Sequence, residues 1–231
     1  MLKIKNLNHQ FGKQGVIKDI TFQTKEAGLY VFAGANGCGK STLFRLIGGL
    51  CLPYSGSIEL NNVTCANEYR RHLGLSLEPF KTEPNLKLGQ ILKMAQEEKY
   101  ISDDEIDYWL GYWQLKEAIN KKFKALSVGM VKRLSLITAF LGEPPVLVLD
   151  EPFNGLDPLG IELLQKVLER KIVEGKLILL STHLLSELSN TMEQVIIMEK
   201  GQIKKVLDKN EVSNSENKSV IMQWLQPQTQ L

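Results

Sequence analysis

Apolar and polar residues alternate along "MLKIKNLNHQF" (1–11) and again along "VIKDITFQT" (16–24). A period of two marks strands that bury one face. "GLYVFAG" (28–34) is a continuous apolar strand that runs into a glycine-rich turn, and "TLFRLIGGL" (42–50) then spaces Leu43, Leu46, Ile47 and Leu50 as a helix does. "SGSIELNN" (55–62) reads as a further strand between turn residues. The N-terminal third therefore combines an antiparallel-type sheet with one strand-turn-helix unit.

From about residue 84 to 140 the pattern predicts only helices and turns. Leu88, Ile91, Leu92 and Ala95 share a helical face. "SDDEIDYWLGYWQL" opens on a capping box, with Ser102 accepting from a free backbone N–H and Glu105 reaching back to the Ser102 N–H. Tyr108, Trp109, Tyr112 and Trp113 form an aromatic cluster with two readings, a partner-binding face or the packing core of a helical lobe. The second is favoured, because such residues are more often buried than displayed.

The last third returns to α/β. "PVLVLD" (145–150) is the uninterrupted apolar run of a parallel strand buried on both faces. Asp157-Pro158 reads as an N-cap and first helical residue of a helix reaching about Arg170. "KLILLST" (176–182) is a second buried strand, "HLLSELSNT" (183–191) a short helix, and "EQVIIMEKGQIKKV" (193–206) a hairpin turning at Lys200-Gly201. Residues 208–219 read as a linker. The fold class expected is α/β: a P-loop NTPase (RecA-like) core over 1–83 and 141–207, with an N-terminal antiparallel β subdomain, an inserted α-helical lobe over 84–140, and a C-terminal tail over 208–231.

Composition narrows the options. The 231 residues suit one domain, and 28 basic against 26 acidic side chains give no basic stripe for nucleic acid. No apolar run approaches the ~18 residues of a membrane span, and no signal-peptide core is present. Cys38, Cys51 and Cys65 show no CxxC pairing. The expectation is a reduced, cytosolic chain.

"GANGCGKS" (34–41) fits G-x-x-x-x-G-K-[ST] between the predicted strand and helix. Its glycines allow backbone N–H groups to curl round a phosphate, and the helix start adds a positive dipole end. Lys40 can reach the β- and γ-phosphates, and the Ser41 hydroxyl can ligate Mg²⁺. Asn36, Gly37, Cys38, Gly39 and Thr42 complete the expected cradle. Asp150 and Glu151 follow a buried strand at its carboxyl end, where open α/β sheets hold ligands. Asp150 is placed to hold Mg²⁺ through water, and Glu151 to act as general base on an attacking water. His183 follows another such strand and is a candidate partner for the γ-phosphate or that water; His9 and His72 read as structural.

Taken in order, the phosphate loop, a helical insert, "LSVGM", "VLVLDEP", "NGLDP" and a strand ending in "STH" resemble the ATP-binding subunits of ATP-binding-cassette (ABC) transporters. The resemblance covers about residues 1–206. It implies that Ser127 and Gly129 cap the γ-phosphate of ATP held by an opposite subunit, that Asp157 is a contact of the dimer, and that Phe11 stacks on adenine with Val16 beside it. It implies catalytic roles for Lys40, Glu151 and His183, ATP and Mg²⁺ as cofactors, and Ser41, Asp150 and Glu78 as metal-side residues. A homodimer or paired cassette, peripheral on the cytoplasmic face of the cell membrane, would drive an integral permease, with export favoured over import and no nucleic-acid partner. The alternative is an ABC ATPase acting on ribosomes or nucleic acid. Three residues depart from the family pattern: Val128 and Met130 in the signature segment, and Glu78 where Gln is usual. Glu78 could ligate the metal or lower ATP affinity.

Overall fold

The structure is a computed structural model that describes residues 1–64, 66–182 and 192–213. The strands are β1 (Leu2–Phe11), β2 (Gln14–Gln23), β3 (Gly28–Ala33), β4 (Ser55–Leu60), β5 (Leu73–Ser76), β6 (Val146–Asp150), β7 (Leu177–Ser181), β8 (Met192–Glu199) and β9 (Gln202–Asp208). The α-helices among the described residues are α1 (Lys40–Ile47), α2 (Ala66–Tyr69), α3 (Leu88–Lys99), α4 (Asp103–Tyr112), α5 (Val128–Phe140), α6 (Pro158–Val173) and α7 (Lys209–Ser213). The alternating N-terminal runs build a three-stranded antiparallel sheet in the order β2-β1-β4. The apolar runs build a six-stranded sheet in the order β5-β6-β7-β3-β8-β9, parallel except for the final β8-β9 hairpin.

Successive strand side chains point to opposite faces, and this parity divides the core in two. Leu29, Val31, Leu147, Leu149, Ile178 and Leu180 face the layer containing α3, α4, α5 and α6. Tyr30, Phe32, Val146, Val148, Leu177 and Leu179 face α1 and the antiparallel sheet. Asp150 continues the second set on β6 and Ser181 continues it on β7, so both polar ends emerge beside α1. The carboxyl ends of β3, β6 and β7 therefore converge on one edge.

The aromatic cluster divides by burial. Trp109 and Trp113 are buried, and Trp109 stacks on Phe140 at 5.3 Å. Tyr108 stays exposed, with the Arg170 guanidinium over its ring and its hydroxyl accepting from Arg170 at 2.8 Å. Packing inside the helical layer is thus the role of the tryptophans.

Three readings need amendment, and one strand was not predicted. Ser102 caps α4 by accepting from Glu105 N–H at 3.3 Å, but the Glu105 carboxylate accepts from Gly142 N–H at 2.8 Å, so the box is not reciprocal. Strand β5 carries only four residues, too few for a period to register. The expected linker starts instead as α7, which packs on β8 and β9. Helix α6 runs three residues past Arg170 to Val173. The helix expected over 183–191 lies outside the described residues.

Candidate functional site

The loop between β3 and α1 has Gly34, Gly37 and Gly39 at φ 154°, 78° and 112°, a backbone path that L side chains rarely take. Gly34 is also fixed by space: a Cβ there would lie 2.2 Å from the Met198 carbonyl oxygen. Gly39 is the N-cap of α1, no side chain caps that helix, and its first turn has no acid. The positive end of α1 is left for an exogenous anion. Lys40 is 7% exposed and donates its ammonium to the Gly34 carbonyl at 2.7 Å and to Ala35 at 3.4 Å. The charge is thereby held across the mouth of the loop.

The loop opens onto a cleft of about 390 Å³ lined by Val16, Asn36, Gly37, Gly39, Lys40, Ser41, Thr42, Glu78, Asp150, Glu151 and Asn154. Most of the expected nucleotide residues are therefore gathered in one place. Cys38 is the exception within the loop: its N–H bonds to Ala35 O at 3.2 Å, its carbonyl accepts from Gly201 N–H at 2.9 Å, and burial pushes its thiol pKa up. Phe11 stands exposed at the end of β1, edge-on to His9 at 4.8 Å. His183 lies outside the described residues.

Asp150 and Glu151 are organised by a residue that the sequence reading passed over. Ser181, fully buried at the end of β7, donates its hydroxyl to Asp150 Oδ1 at 2.6 Å. The same hydroxyl accepts from Glu151 N–H at 2.9 Å, and the Ser181 carbonyl accepts from that N–H at 3.1 Å. Glu151 sits at φ 45°, costly for a side chain of its size, and these bonds stabilise it there. The available signal was the period-two parity that puts residues 150 and 181 on one sheet face.

Glu78 lines the cleft, but its carboxylate is paired with the Lys132 ammonium, a second residue the sequence reading missed. Lys132 also donates to the Glu151 carbonyl at 3.0 Å.

Ser127 is the N-cap of α5, accepting from Met130 N–H at 3.2 Å, and is exposed together with Val128. Neither Ser127 nor Gly129 belongs to the lining of the cleft. Asp157 caps α6 through Gly160 N–H at 3.1 Å and pairs with Arg133 at 2.6 Å. The hydrogen bond from Arg133 is the main reason its carboxyl lies below the usual pKa.

Among the described residues, no three His, Cys, Asp or Glu side chains cluster to cage a metal. The Ser41 hydroxyl and Asp150 carboxylate in one cleft are the sparse oxygen set that suits Mg²⁺ when phosphate and water supply the remaining ligands. The residues present fit that ion as a companion of a bound nucleotide.

Comparison with known proteins agrees with this geometry. A family model described as "ABC transporter" matches residues 17–154. The lantibiotic transport ATP-binding protein SrtF of Streptococcus pyogenes is 32% identical over 217 residues, covering 94% of this chain and 93% of that protein. The uncharacterized ABC transporter ATP-binding protein YdbJ of Bacillus subtilis is 34% identical over 233 residues, covering 99% and 75%. A solved structure of the ATP-binding subunit of an ABC transporter superposes with a TM-score of 0.84 at 28% identity, over 96% of this chain and 98% of that one. The chain belongs to the ABC transporter family and is one of its ATP-binding subunits, an ATPase of transport.

Proposed function

We propose that two copies of this cassette, or one copy and a paired cassette, close head to tail on ATP and Mg²⁺ to drive a separate integral membrane permease, in the direction of export. The observation that carries this reading is the separation of Ser127 and Gly129 from the cleft on their own chain. The exposed start of α5 offers a hydroxyl, backbone N–H groups and a positive dipole end, which together form an anion site. A second molecule brings a phosphate to it. The relative named for lantibiotic transport supports a role in transport.

Within each site the loop N–H groups and Lys40 hold the phosphates, and Phe11 and Val16 flank the base. Mg²⁺, held by Ser41 and Asp150, would neutralise phosphate charge. Glu151 takes the proton of the attacking water, a role worth ~10²–10⁴ in rate, and His183 stands as its proposed partner at the γ-phosphate. Among the described residues no helix is long and apolar enough to cross a membrane. The helical segment over 84–140 together with the Glu78 loop is the proposed docking face for the permease, on the cytoplasmic side of the membrane.

Light scattering on Glu151→Gln tests the arrangement. With saturating ATP and Mg²⁺ the variant is expected to bind ATP, lose turnover and elute as a dimer, while adding Ser127→Arg returns it to monomer. A Glu151→Gln protein that remains monomeric under those conditions removes the closed dimer from the account.

A further inference from the structure

Residues on the strand path of β5 and on one stripe of α5 meet in register. Gly74 lies so close to α5 that a Cβ would stand 2.0 Å from the Ala139 carbonyl oxygen. Two residues on, Ser76 shares a buried hydrogen bond of 2.8 Å with Ser135. Two further on, past the end of β5, Glu78 meets Lys132 in an ion pair. Steps of two on an extended chain match steps of four and three on a helix, so a basic residue at 132 is delivered to whatever stands at 78.

Lys132 does not simply decorate a surface. It is 6% exposed, and its ammonium has two partners on two other segments, the Glu78 carboxylate and the Glu151 carbonyl. Glu78 is fixed from the opposite side as well, where Arg45 of α1 donates to its backbone carbonyl at 2.8 Å. Glu78 also lines both the nucleotide cleft and a neighbouring groove of about 400 Å³ that contains Lys132 and Val128.

The nucleotide cleft carries three carboxylates, Glu78, Asp150 and Glu151, against the single cation Lys40 among the residues that line it. A polyanion entering such a cleft meets repulsion from any carboxylate left without a counter-charge. We propose that Lys132 is the positioning residue that makes a carboxylate at 78 compatible with ATP. It neutralises Glu78, turns it toward α5 and away from the phosphates, and braces the backbone of Glu151. The acid at 78 and the lysine at 132 thus form one unit that ties α5 to the cleft of its own chain. This inference rests on nucleotide binding at that cleft and not on dimer closure or the permease.

A four-protein cycle tests it: wild type, Lys132→Met, Glu78→Gln, and the double variant. Affinity for a fluorescent ATP analogue is measured on each isolated protein with Mg²⁺, at low and moderate salt. Lys132→Met is expected to weaken binding on the order of tenfold, more at low salt. The double variant is expected to return to within about twofold of wild type, and Lys132→Arg to bind as wild type does. Urea denaturation without nucleotide gives a readout independent of the ligand: the midpoint lost through Lys132→Met should shrink by at least half when Glu78 is already Gln, as for two groups in contact. A double variant that binds as poorly as Lys132→Met, or additive losses in urea, overturns the proposal.

Discussion

Removing one hydroxyl from the end of β7 gives a sharp test of how the acids are held. Ser181→Ala deletes the donor to Asp150 Oδ1 at 2.6 Å, in a position with no solvent access to supply a replacement. Glu151 N–H loses its 2.9 Å partner but keeps the Ser181 carbonyl at 3.1 Å, so the deficit concentrates on Asp150, itself 1% exposed. A hydrogen bond to a charged group contributes about 1.5–3 kcal/mol. Taking about 2 kcal/mol, and about 2–4 °C per kcal/mol for a chain of this size, the melting temperature should fall by about 4–8 °C. Turnover should fall further than stability suggests, on the order of 10–100-fold, because Asp150 and the strained Glu151 both lose their alignment. ATP affinity should change by less than about threefold, since the Ser181 hydroxyl bonds to Asp150 and Glu151 and not to the loop at 34–41. Circular dichroism melts, steady-state phosphate release and nucleotide titration measure the three quantities. A variant that melts within 1 °C of wild type and turns over within about twofold would show that Ser181 organises nothing.

Two other substitutions probe the loop and the start of α6. Gly34→Ala places a Cβ 2.2 Å from the Met198 carbonyl at φ 154°, so it should cost about 3 kcal/mol and abolish ATP binding, both visible in a melt run with and without nucleotide. Asp157→Asn removes a charge that the Arg133 hydrogen bond holds below the usual carboxyl pKa. A depressed folded value means that the ion pair stabilises in full above the unfolded value, about pH 4, and is lost as pH falls through the folded value. Urea midpoints should therefore separate wild type from Asp157→Asn at pH 7 and converge in acid.

The long, strongly patterned segments were legible without coordinates. Period two marks β1 and β2, the apolar runs mark β3, β6 and β7, and Asp157-Pro158 marks the start of α6, because each signal is set by neighbours within a few residues. The phosphate loop was legible for the same reason: glycines, Lys40 and Ser41 act through local backbone geometry. Short or cross-chain features were not. Strand β5 exists because Gly74 and Ser76 fit against α5, not because "LGLS" has a period of its own. The Glu105 carboxylate, free to close its own capping box, found Gly142 N–H instead.

By itself the sequence determined which residues are candidates for the chemistry: the glycine-rich loop at 34–42, the acids at 150 and 151, and the Ser-Val-Gly step at 127–129. Their types suffice, since phosphate, magnesium and proton transfer each require particular functional groups. Only the tertiary structure decided how those groups are held. Ser181 reaches Asp150 across paired strands, and Lys132 reaches Glu78 from a helix 54 residues away along the chain. A charge or hydroxyl has no local signature of its partner, because that partner is chosen by strand order and helix register rather than by spacing in the chain.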